Sequence, residues 1–258
     1  MPGRFDGRVA IVSGAGRGIG KAIATRLAAE GASVLLFSRT ESELQTVAAE
    51  IEASGGAVHY VVADASKEDD VVRAVAAAEE KFGAPADIFI ANAGWYPFIK
   101  LDDVTLDQWN EIIAVNLTSA FLAVKAVTPG IVKAGKGGRI VLISSISGPR
   151  TGLSGYAPYT AAKAGLQGFV KTAAVELAKH KISINTVLPG NIYTEALASL
   201  PNGYVEETVK AIPAGTLGDV SDIAEAVAYL VAAGPFTTGA EIVVDGAQSL
   251  PESHFAEF

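Results

Sequence analysis

The chain has 258 residues, half of them hydrophobic and 19% charged: enough apolar material for a large core, and too little charge for a disordered chain. It carries no cysteine, three histidines far apart in sequence (His59, His180, His254) and a formal net charge of −8. Disulfide and thiol chemistry are thereby excluded, no metal-ligand spacing is present, and an acidic surface disfavours nonspecific nucleic-acid binding.

In chain order, the N-terminal stretch "MPGRFDGRVAIVSG" has no long apolar segment and no small-residue cleavage site, so no signal peptide is expected. No apolar run approaches the ~20 residues of a membrane span, and a cytoplasmic protein acting on a small molecule is the expectation. Runs rich in β-branched residues predict strands at 8–14, 33–38, 57–64, 87–92, 139–145, 182–190 and 240–246. Most are apolar along their length, as a parallel sheet covered on both faces requires. Helical patterns fill the intervals 18–30, 41–54, 67–82, 105–134, 157–179 and 219–233. This alternation predicts an α/β, Rossmann-like doubly wound fold: a seven-stranded parallel sheet with helices on both faces, in one domain spanning 1–258. The stretches 112–127 and 161–180 are apolar or small on more than one side. Burial within the monomer or in a subunit interface both satisfy that pattern, and the interface is favoured.

The first strand runs into "SGAGRGIGKAIA", with glycines at 14, 16, 18 and 20 at a strand-to-helix turn. Glycine permits positive φ and close backbone approach, and the helix N-terminus then offers free N–H groups to a phosphate. A dinucleotide is the expected ligand. Near the end of the second strand, where an NAD site places a carboxylate, stand Ser38 and Arg39. A hydroxyl and a guanidinium suit a 2′-phosphate, with Arg17 of the glycine loop as a second cation. NADP(H) is therefore favoured over NAD(H). A solvated surface role for Arg39 is the alternative.

Seven motifs in order resemble those of the short-chain dehydrogenase/reductase family over nearly the whole chain. "SGAGRGIG" (Ser13, Gly14, Arg17, Gly18, Ile19, Gly20) resembles its cofactor loop, with Ser13 for the usual threonine. Asp64 and Ala65 in "VADAS" match the acid that meets adenine, and "ANAG" (Asn92, Ala93, Gly94) matches N-N-A-G with Ala91 for the first asparagine. Asn116, Ser145, Tyr159 and Lys163 match the catalytic tetrad, and "PGNIYT" (Pro189, Gly190, Ile192, Thr194) matches the segment beside the nicotinamide. The Ser145–Tyr159 gap is one residue longer than in many members, which makes Tyr156 and Ser144 rivals. Of the two tyrosines, only Tyr159 has a lysine four residues on.

The resemblance implies hydride transfer between NADP(H) and a carbonyl carbon, without metal. Tyr159 would act as acid or base, Ser145 would hydrogen-bond the oxygen, Lys163 would reach the nicotinamide ribose, and Asn116 would hold a water of a proton relay. On a helix, Lys163 lies on the Tyr159 face, and its ammonium is expected to draw the phenol from ~10 toward ~7. Candidate substrate residues are Trp95, Ser147, Arg150, Leu153 and Tyr156, with Tyr96 and Phe98 beside them, and 191–212 reads as a mobile lid. Loop packing is the alternative for Trp95 and Phe98.

The resemblance is nearest to 3-oxoacyl-acyl-carrier-protein reductases. A carrier protein needs basic docking groups, to which Lys133, Lys136 and Arg139 are candidates. Val175 stands where such reductases often have arginine, so ketone chemistry on free small molecules is placed ahead. A cofactor-binding regulator without catalysis ranks lower, since Tyr159 and Lys163 are both present. A homotetramer or dimer through helices 105–134 and 157–179 is expected. The tail 250–258, with Phe255 and Phe258, either hangs loose or docks on a neighbouring subunit.

Overall fold

Strands that are apolar on both sides need cover on both sides, and the computed structural model supplies it. It describes residues 3–195 and 204–251. The elements run β1 (Val9–Ser13), α1 (Gly18–Ala29), β2 (Ser33–Ser38), α2 (Glu41–Ala53), β3 (Val58–Val62), α3 (Glu68–Phe82), β4 (Ile88–Ala91), α4 (Leu106–Ile113), α5 (Ser119–Ala134), β5 (Gly138–Ile143), α6 (Ala157–Leu177), β6 (Ile182–Pro189), α7 (Tyr204–Lys210), α8 (Val220–Ala232) and β7 (Glu241–Val244). All seven strands form one parallel sheet in the order β3-β2-β1-β4-β5-β6-β7. The chain reverses direction across the sheet between β1 and β4. Loops at their carboxyl ends splay apart there and leave the crevice where such sheets bind ligands.

Two apolar layers sandwich the sheet. One joins β1 and β2 residues such as Ala10, Val12 and Leu36 to Ile23, Leu27, Val47, Val227 and Val231 of α1, α2 and α8. The other joins Ile11, Phe37, Phe89 and Leu142 to Ala74, Val127, Leu166 and Val170 of α3, α5 and α6. Alternate residues of one strand thus enter opposite layers, which explains the unbroken apolar runs.

The predicted helix 105–134 is continuous over Leu106–Ala134, but a π turn at Ala114–Thr118 separates α4 from α5. By length and composition it is apolar enough to cross a membrane, although its apolar residues do not form one unbroken run. Its packing in the second layer accounts for that composition. The stretch 191–212, read as lid loop, contains α7. Its residues 196–203, like 252–258 of the tail with Phe255 and Phe258, lie outside the described residues.

Between β5, α6 and β6 runs a buried polar chain. Gln167 Nε2 donates to Ser144 Oγ at 3.1 Å, Ser144 Oγ donates to Lys163 O at 3.2 Å, and Thr186 Oγ1 donates to Gln167 Oε1 at 3.0 Å. Each group completes the next, so removing the centre leaves Ser144 Oγ without a donor and Thr186 Oγ1 with only its longer bond to Ala240 O at 3.4 Å. Gln167→Ala is expected to lower the unfolding free energy by about 2–3 kcal/mol, read from the midpoint of urea denaturation at unchanged slope.

Candidate active site

The glycine loop is held by its neighbour strand rather than by itself. Ser13 Oγ accepts from the amides of Asn92 (2.9 Å) and Ala93 (3.0 Å), and Asn92 Nδ2 donates to the carbonyls of Ser13 and Gly14, both at 3.1 Å. The first and third motifs are thus one hydrogen-bonded unit across the β1–β4 gap. Gly14 has φ +62°, and a side chain at Gly20 would meet the Gly14 carbonyl at 2.2 Å, so neither position admits another residue without rearrangement. Arg17, the residue before α1, makes no side-chain cap, and the first turn carries no acid. The α1 N-terminus therefore presents uncapped N–H groups and positive potential to the crevice.

Other predicted cofactor residues close around this cradle. The Thr194 methyl would lie 3.5 Å from a side chain placed at Gly18, so "PGNIYT" faces the glycine loop across the groove. Ile192 is buried and bridges to Gly218, and the Gly190 amide donates to Val244 O at 2.9 Å. Pro189 ends β6 beside Val244. A side chain at Gly94 would meet Asn116 Oδ1 at 3.1 Å and Lys163 Nζ at 3.8 Å. Among the described residues Ser38 Oγ is buried with no hydrogen-bond partner, an orphan polar atom at the tip of β2. Arg39, exposed, follows it. Asp64, just past β3, accepts through Oδ1 from the amide and hydroxyl of Ser66, with Ala65 between them. A backbone cradle for phosphates with an unpaired hydroxyl beyond it fits a nicotinamide dinucleotide.

The predicted tetrad converges on one point. Ser145 follows β5, its Oγ accepts from the Ser147 amide at 3.0 Å, and its hydroxyl acts on the Tyr159 phenol closely enough to lower that group's pKa. Lys163 Nζ sits 5.5 Å from the Tyr159 ring centroid. It does not reach the phenol oxygen but donates to Ile143 O at 2.8 Å, buried. Asn116 lies in the π turn, with Nδ2 donating to Trp95 O (2.7 Å) and Ile112 O (2.9 Å) and Oδ1 accepting from Trp95 N (3.2 Å). Its amide captures the carbonyl one turn back, which is how a side chain opens a helix into a π turn. With these contacts Asn116 fastens the Trp95 loop. Its side-chain amide is engaged there rather than directed at Lys163.

The electrostatics differ from the sequence expectation. Burial pushes the Tyr159 phenol up to about 12, the Ser145 hydrogen bond lowers it, and nearby Tyr96 raises it further. Burial pushes the Lys163 ammonium down to about 8. Desolvation outweighs any help the lysine gives the phenol, because Nζ faces the ring and a backbone carbonyl.

Ser144, the rival serine, is committed to the buried Gln167 chain, and Tyr156, the rival tyrosine, is part of an aromatic wall. Tyr96 stands 5.5 Å from Tyr159 and 6.5 Å from Tyr156, ring centre to ring centre, and Phe98 packs edge-on to Tyr156 at 5.7 Å. Trp95, Leu153 and Phe98 are partly exposed at this rim. Two predicted groups belong elsewhere. Arg150 pairs with Glu241 at the start of β7, at 2.9 Å. Arg139 is held by the carbonyls of Ala233 and Gly138 at the amino end of β5, with Lys133 and Lys136 at that same end. Ser147 lies between these regions, bridging to Thr151.

Lys163 provides a pH test. Below about pH 8 it is charged folded and unfolded, and the folded chain bears the full desolvation penalty. Above that the folded chain sheds the proton while the unfolded chain keeps it up to about 10.5, so stability rises with pH. Relative to Lys163→Met, the wild type is expected to gain about 2.4 kcal/mol between about pH 7.5 and about pH 10, measured by denaturant titration at each pH.

The sequence model of the short chain dehydrogenase family matches residues 8–204. The chain is 38% identical over 247 residues to the 3-oxoacyl-[acyl-carrier-protein] reductase FabG of Escherichia coli, covering 94% of this chain and 97% of that one. It is 34% identical over 251 residues to 2,5-dichloro-2,5-cyclohexadiene-1,4-diol dehydrogenase LinX of Sphingobium indicum, covering 97% and 99%. A solved short-chain type dehydrogenase/reductase from Mycobacterium marinum superposes with a TM-score of 0.89 at 33% identity, covering 96% and 97%. With the fold, the glycine cradle and the converging serine, tyrosine and lysine already in place, these matches establish that the chain belongs to the short-chain dehydrogenase/reductase family, oxidoreductases that use a nicotinamide cofactor, NAD(P)(H).

Proposed function

We propose that this protein is an NADP(H)-dependent oxidoreductase that interconverts a ketone and a secondary alcohol on a free small molecule, with Tyr159 as the acid and base. The observation that carries this reading is the convergence of Ser145, Tyr159 and Lys163: the Lys163 ammonium, held on Ile143 O, lies 5.5 Å from the Tyr159 ring, and the Ser145 hydroxyl acts on the same phenol. When bound, the cofactor supplies or accepts the hydride. Ser145 and Tyr159 together address one oxygen: the serine hydroxyl donates to it, and the phenol delivers its proton as negative charge develops. A phenol held near 12 is fully protonated at neutral pH, which suits it to act as the acid. In the oxidative direction it must lose that proton. Lys163 is the positive charge of this chain that favours the phenolate, and an oxidised cofactor held in the cradle would add a second. Lys163, anchored on Ile143 O, keeps its charge close to the ring while leaving other ammonium protons for a ribose.

NADP(H) is favoured by Ser38, with its unpaired hydroxyl, and by Arg39 and Arg17 near it. Resemblance to FabG keeps a second reading in view, reduction of a 3-oxoacyl group on a carrier protein. Against it, Lys133, Lys136 and Arg139 lie at the amino end of the sheet, opposite the crevice, and Arg150 is paired with Glu241. An acidic carrier would find no basic rim in these groups.

Assembly as a homotetramer or dimer through helices 105–134 and 157–179 accounts for Phe121 at 46% exposure and Val175 at 79%. Ala161, Ala164 and Gly168 lie exposed along α6. A cytoplasmic location accords with the acidic, cysteine-free composition.

Purified protein with NADPH is expected to reduce aryl and cyclic ketones in preference to acyl thioesters. Tyr159→Phe lowers kcat/KM about a thousandfold while leaving the NADP+ Kd unchanged. Arg39→Asp turns the preference toward NADH. Strong turnover of carrier-protein thioesters with none of free ketones defeats the substrate reading, and full activity of Tyr159→Phe defeats the mechanism.

A further inference from the structure

Thr40 and Glu43 stand in the T-x-x-E spacing of a capping box at the start of α2. In such a box the acid at the third helical position bends back to the N-cap amide. Here the box does not form: Thr40 makes no side-chain cap hydrogen bond. The comparable pairs Thr105/Gln108 at α4 and Asp219/Asp222 at α8 close both halves of theirs. The Glu43 carboxylate has turned away from its own helix.

It has turned to the glycine loop. A side chain at Gly16 would meet Glu43 Oε2 at 2.8 Å, Glu43 Cβ at 2.9 Å and Ser38 Oγ at 3.3 Å. Only a glycine lets the acid lie this close. Glu43 Oε1 is 4.0 Å from Arg17 Nε. The carboxylate therefore shares its position with Ser38 and Arg17, two of the three groups assigned to the cofactor's 2′ end. Its side chain is about one-third exposed, at 35%, so water screens it only in part.

We propose that Glu43 is a specificity-determining residue of the cofactor site, competing with a 2′-phosphate for Arg17 and so narrowing the preference for NADP(H) over NAD(H). The proposal rests on the reading that the ribose 2′ end lies at Ser38 and Arg39. A phosphate arriving there has to take Arg17 from the carboxylate and is repelled by it. A ribose hydroxyl instead finds an acceptor in it. Arg17 and Arg39 and a carboxylate within one small site oppose each other, so discrimination between the cofactors is set by their balance.

Calorimetric titration of the full chain with NADP+ and with NAD+ separates the contributions. Glu43→Gln is expected to tighten NADP+ about fivefold and to leave NAD+ unchanged or weaker, and Glu43→Lys to extend the shift in the same direction. Glu50→Gln, on the same helix but paired with Lys21, is expected to move neither. A ratio of the two Kd values unchanged by Glu43→Gln, or moved toward NAD+, overturns the role of Glu43. Arg39→Ala tests the premise separately. If it leaves the NADP+ Kd at the wild-type value, the placement of the 2′ end is wrong. If it weakens NADP+ while Glu43→Gln is inert, the placement stands and only Glu43 loses its role.

Discussion

An ammonium group buried against one backbone carbonyl organises this protein. Lys163 Nζ donates to Ile143 O, tying the middle of α6 to the carboxyl end of β5. One helical turn earlier on α6 stands Tyr159, and two residues past Ile143 stands Ser145. A single charged hydrogen bond thus sets the distance between the acid and its serine partner. Charge in the interior is expensive to maintain, and the depressed lysine pKa is the measure of it. The fold bears this strain because the rest of the contact region is apolar or fully paired.

Polar pairing is concentrated where loops must not move. Ser13 and Asn92 lock the glycine loop to the β4 end, Asn116 locks the Trp95 loop to the π turn, and Gln167 bridges β5 and β6 through α6. In each case a buried side chain satisfies backbone or hydroxyl groups that a turn would otherwise leave unpaired. The crevice is therefore a rigid floor. Its aromatic wall of Tyr96, Phe98 and Tyr156 rests on Gly155, whose carbonyl accepts from the Ile99 amide at 2.8 Å.

Charge is handled differently at the two ends of the sheet. At the amino end of the sheet Arg8, Asp87 and Arg139 are mutually compensated or bound to carbonyls. At the carboxyl end uncapped helix N–H groups, an orphan hydroxyl and a diverted acid remain facing the crevice. Incomplete pairing is not confined to that end, since Ser183 Oγ near the start of β6 is also buried without a partner among the described residues; what distinguishes the carboxyl end is that its unpaired groups face the crevice.

How much of this was legible beforehand follows from which forces act locally. The seven strands and the six expected helices came within about two residues, because apolar periodicity and glycine at turns are local properties of the chain; α7, inside the stretch read as lid, was not expected. The tetrad members and the cofactor loop were readable for the same reason, each being carried by a short motif. Other features were not, because they depend on what the sheet brings together. The spacing of Tyr159 and Lys163 implied a shared face but not that the ammonium would bond a strand carbonyl and leave desolvation dominant. Arg150, Lys133, Lys136 and Arg139 looked like cleft cations, yet sheet order sends them to Glu241 or to the far end. Thr40 and Glu43 spelled a capping box, and Gly16, twenty-seven residues away, drew the acid elsewhere. The amino-acid sequence by itself determined the elements, the fold and the chemical types at the site. Tertiary structure alone decided which charges are solvated, paired or buried, since that is set by neighbours distant along the chain.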